Sequence, residues 1–245
     1  MGQMKTYQFT LTDLQGNDYT HIAENRPTES HVNSIKFRQV YFKYKDHELL
    51  NGLSFEMNPG DFAGISGISG KGKTTIINLL LGFLEPGCGQ ILMNDEITSG
   101  FDLQRYWKRT AYVKQQPFFI NDTIRKNITL TDNAYDADKL DEVVSFCGLD
   151  QLVDKYPSRL EHVIKENGKN LSGGQRQRIM LARALYRDAD LIILDEPFGE
   201  MDDQAERCIL DQLKLLTQQG KMILLITHNK ASLTFCNKIF FLDEK

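Results

Sequence analysis

From Ile35 the chain falls into a readable alternation. In IKFRQVYFKY, apolar and polar positions take turns and aromatic residues are frequent, which predicts a half-buried strand at a sheet edge. LLNGLSFEMNPGDFAGISG predicts a strand, a turn at Pro59-Gly60, and a second strand from Asp61 to Ser66. TTIINLLLGF has the apolar density of a helix, with Gly82 as its stop. GQILMNDEI and the stretch Arg109–Gln115 predict two further strands. Toward the C-terminus, DLIILDEP and KMILLITH are continuous Ile/Leu runs bounded by charge, and NKIFFLDEK predicts a last strand. Continuous runs of this kind belong to a parallel sheet covered on both faces. EMDDQAERCILDQLKLLTQQG lies between the first two and predicts a helix.

Two segments break this pattern. Residues 1–33 are polar and lack a sustained period, as in a linker or the remnant of an upstream part. The stretch from Pro117 to Asn170 is rich in helix formers, with caps such as Asp136 and Asp150. It predicts an inserted helical subdomain, which a helix opening at Ser172 extends to about residue 185. The expected fold is α/β: a mostly parallel sheet, an antiparallel β edge region and a helical insert.

Composition narrows the function classes. The net charge of −4 over 245 residues argues against a broad nucleic-acid-binding surface. Cys88, Cys147, Cys208 and Cys236 are far apart in sequence, so they suggest no metal knuckle and predict reduced thiols packed as small hydrophobes. No apolar run approaches the roughly 20 residues of a membrane helix.

The candidate chemistry begins at GISGISGKGKTT. The pattern G-x-x-x-x-G-K-[ST] has one register here: Gly67, Gly72, Lys73 and Thr74, with Ile68, Ser69, Gly70 and Lys71 between and Thr75 after. Small residues let successive backbone N–H groups converge on a phosphate, and the following helix adds its positive end. Lys73 is predicted to reach the β- and γ-phosphates and Thr74 to ligate Mg²⁺. Lys71 cannot be the phosphate lysine, because Gly72 follows it where a hydroxyl is required. LIILDEP supplies the acidic partner: Asp195 meets a Mg²⁺-bound water, and Glu196 stands as general base for the attacking water.

The stretch LSGGQRQRIMLARAL, Leu171 to Leu185, resembles the signature of ATP-binding cassette (ABC) ATPases, which share a P-loop NTPase, RecA-like fold. Other landmarks follow in family order. Tyr44 resembles the aromatic that stacks on adenine, Gln115 the glutamine that senses Mg²⁺ and attacking water (Gln116 is a rival), and His228 the switch histidine near the γ-phosphate. Asp202 resembles the acidic end of the loop that crosses the dimer interface. The resemblance implies that Leu171, Ser172, Gly173, Gly174 and Gln175 face ATP bound by a second cassette, so that two copies, identical or not, sandwich two ATP molecules head to tail. It covers about residues 34–245.

PFFINDTIRKNI and the Glu166 that precedes the signature resemble the exporter type. That resemblance implies a transmembrane domain, expected to be fused upstream, a place at the cytoplasmic face of a membrane, and a contact with the membrane part around Phe118 to Asp122; the aromatic pair Phe118-Phe119 is either that contact, which the polar flanks favour, or core. It also implies ATP and Mg²⁺ as cofactors, hydrolysis coupled to transport, and no nucleic-acid partner. The alternative is a soluble ABC ATPase acting on nucleic acid or the ribosome, which usually needs a second cassette, a coiled coil or a basic arm. Two departures stand out: Lys71 occupies a usually small position, and Gly199-Glu200-Met201-Asp202 replaces the usual Ser-Ala-Leu-Asp.

Overall fold

A computed structural model describes residues 30–242 apart from 46, 69 and 117, so most of the expected linker, residues 1–29, lies outside the described residues. The chain opens with β1 (Ile35–Tyr44), β2 (His47–Met57), β3 (Phe62–Ser66) and α1 (Lys73–Leu80). Next come β4 (Cys88–Met93), β5 (Glu96–Ile97), a 3₁₀ helix over Gly100–Arg109, and β6 (Thr110–Val113). A mainly helical stretch follows: β7 (Asp122–Thr123), α2 (Ile124–Thr129), α3 (Ala137–Phe146), α4 (Asp150–Asp154), β8 (Val163–Ile164) and α5 (Gly173–Tyr186). The chain ends with β9 (Leu191–Asp195), α6 (Asp203–Gln218), β10 (Met222–Ile226), α7 (Lys230–Leu233) and β11 (Lys238–Phe241).

Two larger sheets result. One is parallel throughout, in the order β11-β3-β10-β9-β6. The other is antiparallel, in the order β2-β1-β4-β5. This is the α/β architecture expected from the runs, and it agrees with the P-loop NTPase fold that the resemblance implies.

The parallel sheet explains its own sequence. Successive side chains on a strand point to opposite faces. Along β9, Ile192 and Leu194 enter one core cluster while Leu191 and Ile193 enter the other. β10 divides likewise: Ile223 and Leu225 go to the first, Met222, Leu224 and Ile226 to the second. The first cluster is completed by the helical stretch, through Ile124, Ile128, Leu140 and Ile179. The second is completed by α1 and the antiparallel sheet, through Ile76, Ile77, Phe37 and Ile91. With both faces covered, every position of these strands is apolar except Asp195, at the end of β9. Ile193 is fully buried, so Ile193→Ala should cost about 3 kcal/mol of stability through lost burial and a residual cavity. Urea unfolding checks this: an unchanged midpoint would contradict the two-sided packing.

A polar knot ties residues 118–123 to the helices. Asn127, fully buried, accepts from the Ile120 N–H at 3.0 Å and donates through Nδ2 to the carbonyls of Ile120, Asp122 and Thr123. Arg183 of α5 donates to the Asn127 carbonyl at 2.6 Å and to the Phe118 carbonyl at 2.8 Å. Burial lowers the Arg183 guanidinium to about 10.

Several local expectations change. Phe119 is buried in the first cluster and only Phe118 is exposed, so the pair is not a shared surface aromatic. The ring of Phe119 is needed inside, under the Arg183 guanidinium at 5.6 Å. Cys88 and Cys208 are exposed, while Cys147 is buried and Cys236 packs at the core edge, so only two of the four act as packed hydrophobes. β6 ends at Val113, before the predicted Gln115. α7 spans only four residues, too short to announce itself by period.

Candidate active site

The loop between β3 and α1 is shaped by its glycines. Gly72 has φ +95°, and a Cβ there would come within 3.0 Å of Leu50 Cδ2 and 3.3 Å of the Leu49 carbonyl oxygen. Both conformation and space therefore demand glycine. α1 starts at Lys73 with no side-chain cap. Its first-turn N–H groups are thus left for an anion, at the positive end of the helix. Lys73 Nζ folds back to the Gly67 carbonyl at 2.6 Å, which holds the ammonium across the loop. Thr74 is exposed and Thr75 buried.

These residues form one wall of a cavity of about 710 Å³. Gly67, Ile68, Gly70, Gly72, Lys73, Thr74 and Thr75 line it from the loop side. Gln115, Asp195, Glu196 and His228 face them, joined by Leu49. Ser69 lies outside the described residues. Of the two rival glutamines, Gln115 is the one in the cavity wall.

The acidic pair stands at the end of β9. Burial pushes the Asp195 carboxyl up from its ordinary range, and Glu196 adds to this, while the Tyr112 hydroxyl and Lys73 oppose it. The Tyr112 hydroxyl donates to Asp195 Oδ2 at 3.1 Å, and burial together with the Asp195 charge raises the Tyr112 phenol. Glu196 has φ +47°, a left-handed conformation that costs a non-glycine residue of order 1 kcal/mol. Its N–H is nevertheless held by the Ile226 carbonyl at 2.9 Å. This twist turns the carboxylate into the cavity, where Oε1 lies 3.0 Å from His228 Nδ1 and 3.9 Å from Lys73 Nζ.

His228 sits after β10 on a fixed turn. The Thr227 N–H donates to the Ile65 carbonyl at 3.2 Å, and the Asn229 side chain caps α7 while donating to the buried Glu206 carboxylate. The imidazole itself is 81% exposed.

Some predicted residues stand apart from this cavity. Tyr44 closes β1, half-exposed and edge-on to Phe42 at 4.9 Å, and does not line it. Lys71 turns instead toward a groove beside β2, with Glu48 and Phe241. The signature forms a separate cavity of about 390 Å³ with no lining residue in common with the first. Leu171, expected to face a partner's ATP, does not line it and is buried in the first core cluster, while Ser172 caps α5 in a capping box with Gln175. Ser172, Gly173, Gly174 and Gln175 line it, as do Glu200 and Asp202. Asp202 also caps α6, accepting from the Ala205 N–H at 2.8 Å.

The model of the ABC transporter family matches residues 50–199, the span from the edge of the first cavity to the loop beside the second. The chain belongs to the ABC transporter family. The ABC chain is 34% identical over 223 residues to an ATP-dependent lipid A-core flippase of Paraburkholderia xenovorans, covering 89% of this chain and 37% of the relative. It is 34% identical over 236 residues to a putative export ATP-binding/permease protein of Rickettsia conorii, covering 95% and 40%. A mycobactin import ATP-binding/permease protein, IrtB, of Mycolicibacterium thermoresistibile is 31% identical, with 86% and 36% covered. Among solved structures, a bacterial Atm1-family ABC exporter with ATP bound superposes with a TM-score of 0.82 at 28% identity, covering 90% of this chain and 39% of that one. The chain thus spans about two fifths of the length of the relatives it matches. No helix among the described residues is long and apolar enough to cross a membrane.

The ABC chain's donors fit Mg²⁺-ATP. Magnesium keeps several waters and takes one or two protein oxygens beside substrate phosphates. The exposed Thr74 hydroxyl and the Gln115 side-chain oxygen, both lining the cavity, are such a pair, and the Asp195 carboxylate beside them suits a metal-bound water. Sequence reasoning missed Leu49 in the cavity wall and Tyr112 behind Asp195. Tyr112 pairs with Ile193 across the sheet, yet it bonds a residue 83 positions away, and nothing local signals that.

Proposed function

We propose that this chain is the ATP-hydrolysing nucleotide-binding part of an exporter-type ABC transporter. One observation carries the reading: a carboxylate, a lysine and a histidine converge over a glycine loop while the signature lies on a separate face. Each face is then half of a site, which a second ABC ATPase domain of the same or another chain completes head to tail.

In this reading Lys73 and the loop N–H groups hold the phosphates, and the exposed ring of Tyr44 stacks on adenine. Thr74, Gln115 and, through water, Asp195 would hold Mg²⁺, which would supply charge neutralisation at the phosphates. Glu196 takes the proton of the water attacking the γ-phosphorus as the bond to the leaving ADP oxygen breaks. His228 holds Glu196 at one side of that water and meets the γ-phosphate. Ser172, Gly173 and Gly174 face the nucleotide of the partner, and Asp202 links the two sites.

The relatives named as ATP-binding/permease proteins support a transmembrane partner and a place at the cytoplasmic face of a membrane. One of them is named for import, so this part of the molecule is compatible with either direction of transport. If each site needs two chains, ATP turnover per chain should rise with protein concentration by mass action. A phosphate-release assay over about a hundredfold dilution tests this. Turnover per chain that stays flat would sink the paired reading.

A further inference from the structure

We infer that Glu200 is a built-in occupant of the signature face, which must leave before a second copy's ATP can dock there. This inference rests on the head-to-tail reading and deepens it.

The observations centre on Gly173. A Cβ placed there would fall 1.3 Å from Glu200 Oε2 and 2.4 Å from its Cδ, so the carboxylate fills the space that glycine leaves. Glu200 is held on this spot from three sides. Its N–H donates to Gln177 Oε1 at 2.9 Å, its Oε2 takes an ion pair from Arg176 at 3.1 Å, and its carbonyl lies against Gly174. Gln177, from the buried side of α5, fixes the backbone, and Arg176 fixes the side chain.

A carboxylate beside the start of α5 is favourable for the reason a phosphate there is favourable: the first-turn N–H groups that the Ser172 cap does not take, and the helix dipole, attract negative charge. Glu200 and the partner's phosphate therefore compete for one field. Two anions cannot share it once the interface closes and water leaves, because their repulsion grows as the dielectric falls. An alanine in place of Glu200, as the usual Ser-Ala-Leu-Asp pattern has, presents no such charge. In this chain Glu200 swings off Gly173 and gives up Arg176 as the pair closes, which raises the ATP concentration needed for closure.

The experiment uses the chain carrying Glu196→Gln, so that ATP persists, and follows pairing by sedimentation velocity across an ATP titration. Adding Glu200→Ala should lower the ATP midpoint for pairing about tenfold, as expected when a like charge leaves an interface. Glu200→Gln keeps the size, removes the charge and should lower it too. It also carries the test if the alanine variant does not fold. Binding of a fluorescent ATP analogue to each variant checks that the loop site is intact. Midpoints that agree within about twofold, or a shift with alanine only, would overturn the inference while leaving pairing in place. If neither parent nor variants pair although all bind the analogue, the head-to-tail reading falls and this inference with it.

Discussion

Replacing Glu196 by glutamine should lower ATP turnover at least about a hundredfold and leave ATP binding in place. Glutamine has the same shape, and its Oε1 can still accept from His228, so the contact now 3.0 Å long can persist. It can no longer take a proton from water. Removing a negative charge beside the phosphates should, if anything, tighten binding. Lys73, 3.9 Å away, stays tied to the Gly67 carbonyl. The check pairs a phosphate-release assay with a binding titration. Turnover at the native rate in the glutamine variant would remove Glu196 from its role as base.

The second large effect is expected from Lys73→Ala. A charge-assisted hydrogen bond contributes about 1.5–3 kcal/mol, so ATP affinity should fall roughly ten- to hundredfold. Turnover falls with it, for two reasons. The phosphates lose their ammonium, and Glu196 loses the cation nearest its Oε1 on the loop side. Lys71→Ala is the informative contrast, because Lys71 faces the groove beside β2 rather than the phosphate cavity. Equilibrium titration with ATP decides between them. A larger loss from Lys71 than from Lys73 would mean the loop is read in the wrong register.

How much of this was legible depended on the range of the interaction. β9 and β10 could be read because burial on both faces writes itself into consecutive residues. The start of α5 could be read from its Gly-rich opening at Ser172, where the structure adds a capping box with Gln175. The loop register followed from spacing alone. Contacts between distant segments left no such trace. Tyr112 meeting Asp195, Phe119 turning inward beneath Arg183, and Glu200 lying on Gly173 all depend on how separate elements pack. The sequence marked Glu200 as unusual but could not say where its carboxylate goes. Tyr44 could be named only by resemblance, and its ring stands outside the cavity wall.

The two-sided burial of β9 has a consequence for accuracy. A strand with one greasy face can slip by two residues and still find oil beneath it. β9 has two different neighbours to satisfy at once, one helical and one mainly sheet. A one-residue slip would exchange every side chain between them, and a longer slip would break the pairing that sets Asp195 beside Ile226 at the end of the strand. The strand therefore works as a ruler gripped from both sides, and its last mark is where the two acids are set.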